Sequence, residues 1–351
     1  MYKTIEELVE KVDERNTDNK ISELIGVSID KCFIKSVANT NGTDLSKYKI
    51  IRKNDFAVSL MQVSRDSKIP IARLEDYDVA IMSPAYPIFR VKDTSVVLPE
   101  YLEMWFERPE FDREAAFIAV GGVRGSMPWE EFAKMKLPVP PMDKQKNIVK
   151  AYKTITDRIA LKQKINDNLE ATAFAIYRET FITSRSANWN KGTLGDLLAI
   201  KYGKDHKHLA DGTIPLYGSG GIMRYVEKSL YDKVSVLIPR KGTLSNVLYV
   251  DEPFWSVDTM FYTEISKPYA AKFIYYFVKS KDLAGMDTGS AVPSMSSEII
   301  HSMELDIPDD ETLISFDKCL CPLYKQIKIN NQECDKLKSL QNILLTTISS
   351  N

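Results

Sequence analysis

What this chain has little of narrows its chemistry first. It carries three histidines, His206, His208 and His301, and four cysteines, Cys32, Cys319, Cys321 and Cys334. No two cysteines form a CxxC pair, and the histidines stand far from them. The paired ligand spacing of a structural zinc site is therefore missing, and the cysteines read as reduced thiols of a cytosolic protein. No apolar run approaches the roughly 20 residues that a membrane span requires. The opening MYKTIEELVEKVDERN is charged from its third residue, unlike a signal peptide. The expectation is a soluble, cytoplasmic chain with no membrane partner. Catalytic motifs are scarce too. There is no GxxxxGK[ST] to hold ATP, no GxGxxG after a strand, no HExxH, and no Asn- or Asp-Pro-Pro-Tyr of the kind that positions an amino group for methylation. Pro308-Asp309-Asp310 resembles half of a nuclease motif, but no Glu-x-Lys follows it. These absences predict a chain that is not an enzyme, with no catalytic residue and no metal.

Charge of one sign is also missing. Lys and Arg number 47 against 48 Asp and Glu, a formal net charge of −1. That excludes a uniformly basic protein, although a balanced total can hide a basic face beside an acidic one.

What is present is repetition. The chain has 351 residues, enough for two or three domains, with 44% hydrophobic and 10% aromatic residues, as in proteins that bury real cores. SMPWEEFAKMKLPVP at 126–140 is echoed by SMSSEIIHSMELDIP at 294–308, an offset of 168. The register continues without a gap through the pairs Ile148/Phe316, Tyr152/Leu320, Ile155/Leu323, Ile159/Ile327 and Leu169/Leu337. Each half also opens alike, TIEELVE at 4–10 facing TLGDLLA at 193–199.

After each phrase the apolar residues keep a heptad spacing, interrupted in the first half at Lys162 and Asn166. Pro138, Pro140 and Pro141 stop what precedes, and Asp143 offers an N-cap. Two long helices are predicted, packed as an antiparallel coiled coil with Ile148, Tyr152, Ile155, Ile159, Leu169, Phe316, Leu320, Leu323, Ile327 and Leu337 in the seam. Polar residues within it would fix register rather than add stability. Before each helix the pattern is strands, then a helix: strands at 49–63, 69–74 and 79–91 with a helix at 99–117, and strands at 212–221, 234–240, 246–250 and 259–265 with a helix at 268–280. The segment TSRSANWNKG (183–192) reads as a short linker. The fold class expected is therefore α+β (mixed α/β), a pseudo-twofold internal repeat of two similar globular domains separated and held by the helices. Its parts are 1–140, helix 141–183, 184–304, and helix 305–351.

Polar, glycine-bearing loops beside the strands are the candidate binding surface. Arg, Lys, Ser, Thr and Asn on loops supply donors that phosphate oxygens and base edges accept. In the first half these are Asn39, Asn41, Thr43, Arg65, Lys68 and Arg124; in the second, Tyr217, Ser219, Arg224, Arg240, Lys241, Thr243 and Asn246. Any one of them also fits a solvated turn.

With those residues in view, the chain resembles the DNA-sequence specificity subunits of type I restriction–modification systems. The resemblance lies in LPVPPMDKQKNIV and the helix containing KINDNLE (136–170), in IPLYGSGGIMRYVEKSLYD (214–232), in VLIPRKGTLSNVLYVDEPFWSVDTMFY (236–262) and in GVSIDKCFIKSVANTNGTDLSKYKIIRKNDFAVS (26–59). It implies two target-recognition domains, each reading one half of a bipartite site on double-stranded DNA. It implies helices that set the spacer and dock two adenine methyltransferase subunits, with restriction subunits joining the complex that defends against phage. No cofactor is implied for this chain; S-adenosylmethionine, ATP and Mg belong to the partner subunits. The second helix departs from the pattern, with Asp306 facing Pro138 and Asp309 facing Pro141, which leaves its docking surface open. Two other readings stay open: a coiled-coil scaffold that does not read DNA, and an orphan specificity chain without working partners.

Overall fold

Each half of the chain closes on itself by pairing its opening strand with the strand that ends the repeated phrase. The computed structural model describes residues 1–36, 43–61, 63–121, 125–286 and 294–348. In the first half, β1 (Tyr2–Thr4) runs antiparallel to the phrase strand Lys136–Pro138, with Thr4 opposite Lys136 and Tyr2 opposite Pro138. In the second half, Asn190–Thr193 runs antiparallel to Glu304–Ile307, with Thr193 opposite Glu304. The two registers are the same pairing carried across the two sequence offsets. One residue on, the Ile5 amide donates to the Met135 carbonyl at 3.0 Å, and the Leu194 amide donates to the Met303 carbonyl at 2.9 Å. A capping box follows in both, Thr4 with Glu7 and Thr193 with Asp196.

Between these closures lie two sheets of one topology. In the first half, β2 (Val9–Val12), β3 (Phe56–Val58), β4 (Ile71–Arg73) and β5 (Ile88–Val91) lie in the order β2-β5-β3-β4, and β6 is the phrase strand Lys136–Pro138. In the second half, β7 is Asn190–Thr193, and β8 (Leu198–Tyr202), β9 (Asp211–Gly218) and β10 (Gly221–Val226) follow it. Then come β11 (Ser235–Pro239), β12 (Leu248–Val250), β13 (Met260–Ile265) and the phrase strand β14 (Glu304–Ile307). Its four-stranded sheet is ordered β8-β13-β11-β12, again antiparallel throughout. The additions differ: the first half inserts the strand pair Lys49–Arg52 with Val79–Met82, the second the hairpin β9–β10.

Four sequence expectations change here. The run 79–91 is two strands, Val79–Met82 and Ile88–Val91, and only the second joins the four-stranded sheet. The run 49–63 is not one strand. Asn54 adopts φ 70° and turns the chain between two short strands, and Val63–Asp66 forms a helical turn. The helix expected at 99–117 is two, α1 (Pro99–Phe106) and α2 (Pro109–Ile118), because Arg108 before a proline is held extended, at φ −70° and ψ 133°. The first long helix, α3 (Met142–Arg178), starts before Asp143, which sits in its first turn rather than capping it. The second-half helix is α4 (Ala271–Lys279), and the second long helix is α5 (Asp310–Thr347). There Asp309 does cap, accepting the Thr312 amide at 2.8 Å.

The chain divides into two compact units, Met1–Lys162 with Gln332–Asn351, and Gln163–Asn331. Each therefore contains the start of one long helix and the end of the other, running antiparallel. In the first unit Arg158 Nε meets Glu333 Oε1 at 2.6 Å, Lys162 Nζ meets the same carboxylate at 2.8 Å, and Gln341 Nε2 donates to Thr156 Oγ1 at 2.9 Å. The core of this unit stacks Phe56 on Phe89 beneath Phe106 and Phe132. Leu345 and Ile348 from the end of α5 join it. Buried Arg108 fastens that end, donating from Nε to the Leu345 carbonyl at 3.1 Å with its guanidinium 4.1 Å from the Trp105 ring. In the second unit Tyr177, at the end of α3, and Phe181, in the π-helical turn Glu179–Thr183 that continues it, pack on Phe273 and Phe316.

All ten residues named for the seam are buried or half-buried. Ile148 and Tyr152 also pack on the first unit's core, and Phe316, Leu320 and Leu323 on the second's. The interruption at Asn166 is a hydrogen-bonded layer in the second unit. Asn330 Nδ2 donates to Asn166 Oδ1 at 2.8 Å, and Asn166 Nδ2 donates to Asn331 Oδ1 at 2.8 Å. Asn330 is fully buried, and Gln326 Nε2 satisfies its carbonyl oxygen at 2.9 Å.

Arg108→Ala should cost roughly 1.5–3 kcal/mol, the worth of a charged buried hydrogen bond, measured by denaturant unfolding. Asn330→Leu alone leaves Asn166 Oδ1 unpaired and should cost about 1–3 kcal/mol, whereas adding Asn166→Leu should recover most of it. A double-mutant cycle with no coupling between the two would show that the layer does not act as a unit. On α1, burial pushes the carboxyls of Glu103 and Glu107 up to about 7. Since the folded state holds these protons more tightly, the two groups make stability fall as pH rises from about 4.5 to about 7. Glu107→Gln should accordingly stabilise the chain at pH 8 and lose that advantage below pH ~4.5, read from melting temperature against pH.

Candidate nucleic-acid interface

The first part of the repeated phrase, Ser-Met, crosses the chain where the central strand of each sheet ends. In the first unit the Met127 amide donates to the Leu60 carbonyl at 2.9 Å, just after β3. In the second unit the Met295 amide donates to the Arg240 carbonyl at 2.8 Å, just after β11. Both methionine side chains are buried. The phrase thus clamps the same segment in both units, and most of the candidate binding residues lie on or beside it.

In the second unit the segment is RKGTLSN (240–246). Arg240 is fixed on both sides, its amide donating to the Thr259 carbonyl at 2.8 Å and its carbonyl taken by Met295. Lys241 bridges to Ser294 and is exposed. Gly242 has φ +86°, and a Cβ there would lie 2.7 Å from Ser219 Oγ, so glycine lets the loop meet the tip of the β9–β10 hairpin. Asn246 Nδ2 ties the two together, donating to the Ser219 carbonyl at 2.9 Å, while its amide donates to the Thr243 carbonyl at 3.1 Å. Ser219, Lys241, Thr243 and Asn246 therefore converge with Arg240.

Two further candidates serve the interior of this unit. Tyr217 packs its ring against Phe254 at 6.3 Å, and burial raises its hydroxyl to about 12. Arg224 spends its guanidinium on its own unit: Nη1 pairs with Asp211 at 2.9 Å, and Nη2 donates to the carbonyls of His206 and Leu209 at 2.8 and 3.1 Å.

In the first unit the clamped segment leads into Arg65 and Lys68, both exposed. Arg65 is held by its neighbour Asp66, Nε to Oδ1 at 2.7 Å and Nη2 to Oδ2 at 3.0 Å. Lys68 lies 4.0 Å from Asp30. Gly125, at φ +74°, brings the start of the phrase against this turn, since a Cβ there would lie 2.4 Å from Ser64 Oγ. Thr43 is exposed; Asn39, Asn41 and Arg124 lie outside the described residues.

One contributor escapes the sequence reading. Tyr202 ends β8 with its ring half exposed, its hydroxyl 3.2 Å from Ser297 Oγ and the Arg240 guanidinium 5.3 Å above the ring. Strand alternation after Leu198 and Ile200 places it inward, but the strand ends and the ring turns out. The signal available was an aromatic between Lys201 and Lys204. Among the described residues no three His, Cys, Asp or Glu side chains gather to hold a metal, and no helix is long and apolar enough to cross a membrane. The surface offers hydrogen-bond donors, hydroxyls and cations on loops held by backbone bonds, a set suited to recognition.

Known proteins share this build. A specificity subunit, that of the type I restriction enzyme MjaIX of Methanocaldococcus jannaschii, is 21% identical over 296 residues, covering 71% of this chain and 68% of the relative. The crystal structure of a type I restriction-modification system S subunit from M. genitalium superposes with a TM-score of 0.61 at 15% identity, over 99% of this chain and 96% of that one, a likeness of fold. The model of the type I restriction modification DNA specificity domain matches twice, over residues 1–171 and 186–339, and the chain belongs to that family.

Proposed function

We propose that each compact unit reads one half of a bipartite sequence in double-stranded DNA, through the segment that its Ser-Met phrase clamps. The observation that carries this reading is the clamp itself. Identical backbone bonds hold the stretch after Leu60 and the stretch after Arg240, while the residues held differ in kind. A constant frame presenting different side chains suits two half-sites of different sequence. As a member of its family the chain is the non-catalytic specificity component of a type I system. In this reading the chain works in the cytoplasm. Its long helices set the gap between half-sites and dock two methyltransferase subunits, and restriction subunits join them. S-adenosylmethionine, ATP and Mg then act in those partners. The net charge of −1 is compatible with DNA binding because partner subunits add phosphate contacts.

The same charge favours a second reading, a scaffold that assembles partners without reading DNA. Charge reversal at Arg240 and Lys241 separates the two: loss of DNA binding with assembly intact supports DNA reading, and intact binding without sequence preference supports the scaffold. For the principal reading, the chain with its methyltransferase subunits should bind one bipartite duplex far better than scrambled duplex at physiological salt, the site being identified by mapping methylated adenines. Equal affinities would refute it. Inserting one heptad between Ile148 and Leu169 should change the preferred spacer and leave both half-sites as they were.

A further inference from the structure

We propose that Arg240 reads a guanine in the half-site of the second unit, with Tyr202 as the residue that positions it. The inference rests on the DNA-reading function above and adds the base and the device. A guanine presents O6 and N7 in the major groove, and a guanidinium fork matches both acceptors at once. Such a fork must be held rigid, with its donors left open.

Arg240 meets both conditions. Its backbone is bound to Thr259 on one side and to Met295 on the other. Its guanidinium lies over the Tyr202 ring at 5.3 Å, within the range of cation–π attraction. That ring is itself fixed, with its edge on Phe261 at 5.0 Å between centroids and its hydroxyl on Ser297. The guanidinium is tethered by Nη1 to the Asp258 carbonyl at 3.2 Å. One tether of five possible donors sets the direction of the fork and leaves the rest for a ligand.

The other described arginines named as candidates lack this freedom. Arg224 is bound to Asp211 and two carbonyls, and Arg65 is chelated by Asp66. At the clamp of the first unit the residue in the place of Arg240 is Leu60. The guanine contact therefore belongs to one half-site.

The test uses the full chain with its methyltransferase subunits and a library of duplexes randomised over both half-sites. Arg240→Lys keeps the charge but loses the fork. It should reduce the preference for guanine at one position by roughly ten- to a hundredfold, with the other half-site unaltered as an internal control of folding. Tyr202→Leu should relax the same position, to a smaller degree. Unchanged selectivity in Arg240→Lys overturns the proposal. So does an Arg240→Ala variant that keeps full selectivity while losing about one unit of salt dependence, the mark of a phosphate contact. A uniform loss of affinity in Tyr202→Leu, with no change in base preference, removes its positioning role. If the unaltered chain prefers no sequence over scrambled duplex, the DNA-reading function itself fails, a result distinct from any of these.

Discussion

The structure depends on one constraint, the return of each phrase to the beginning of its own half. The pairing of β1 with β6, and of β7 with β14, fixes the phrase at its end. With that end fixed, the phrase's opening Ser-Met is drawn across the close of the central strand, where Met127 and Met295 bury their side chains. What is placed on the candidate surface follows from this, because the Ser-Met bond holds the backbone at the point where the central strand ends in each half. A backbone clamp is indifferent to side chains, so the segment it holds is free to differ. Leu60 and Arg240 occupy one place in two copies and have nothing in common but a carbonyl oxygen.

How much of this was legible in the residues varies with the kind of signal. The repeat, its register and the two long helices were plain, because periodicity over forty residues outweighs local irregularity. The two offsets proved to be the two sides of one strand pair, which places TIEELVE against the phrase and TLGDLLA against its echo. Asn166 was visible as a break in the seam, but its partners were not, since Asn330 and Asn331 are defined only by how the helices cross. The split of the helix at Arg108–Pro109 was available from the proline alone. Burial of Arg108 was not, because its partner Leu345 lies at the far end of the chain.

The candidate binding residues show the limit more sharply. A loop arginine in a sequence does not say whether it faces a ligand or its own fold. Arg224 and Arg240 stand in similar wording, yet one is consumed by two carbonyls and a carboxylate while the other keeps most of its donors. Of two tyrosines, Tyr217 was named for the surface and Tyr202 was not, and the structure places them the other way round. The first stood beside glycines and packs inward; the second lay outside every strand read from the sequence, and its ring stands half exposed. What decides each case is a tertiary partner, Phe254 for one and Arg240 for the other.

The asparagine layer carries a consequence for exchange between related chains. The offset of 168 that relates the two halves carries Asn166 onto Cys334 and Asn330 onto Lys162, so the amide pair breaks the internal symmetry it sits in. Two first helices brought together in the same register would set Asn166 against Lys162 in the place of Asn330 and against Gln163 in the place of Asn331. The layer is thus built of amides between the two different helices, where a like pair would build it from an ammonium and amides. A hybrid gene joining this first half to the second half of a relative would leave Asn166 Oδ1 satisfied where the newcomer brings a hydrogen-bond donor to the place of Asn330.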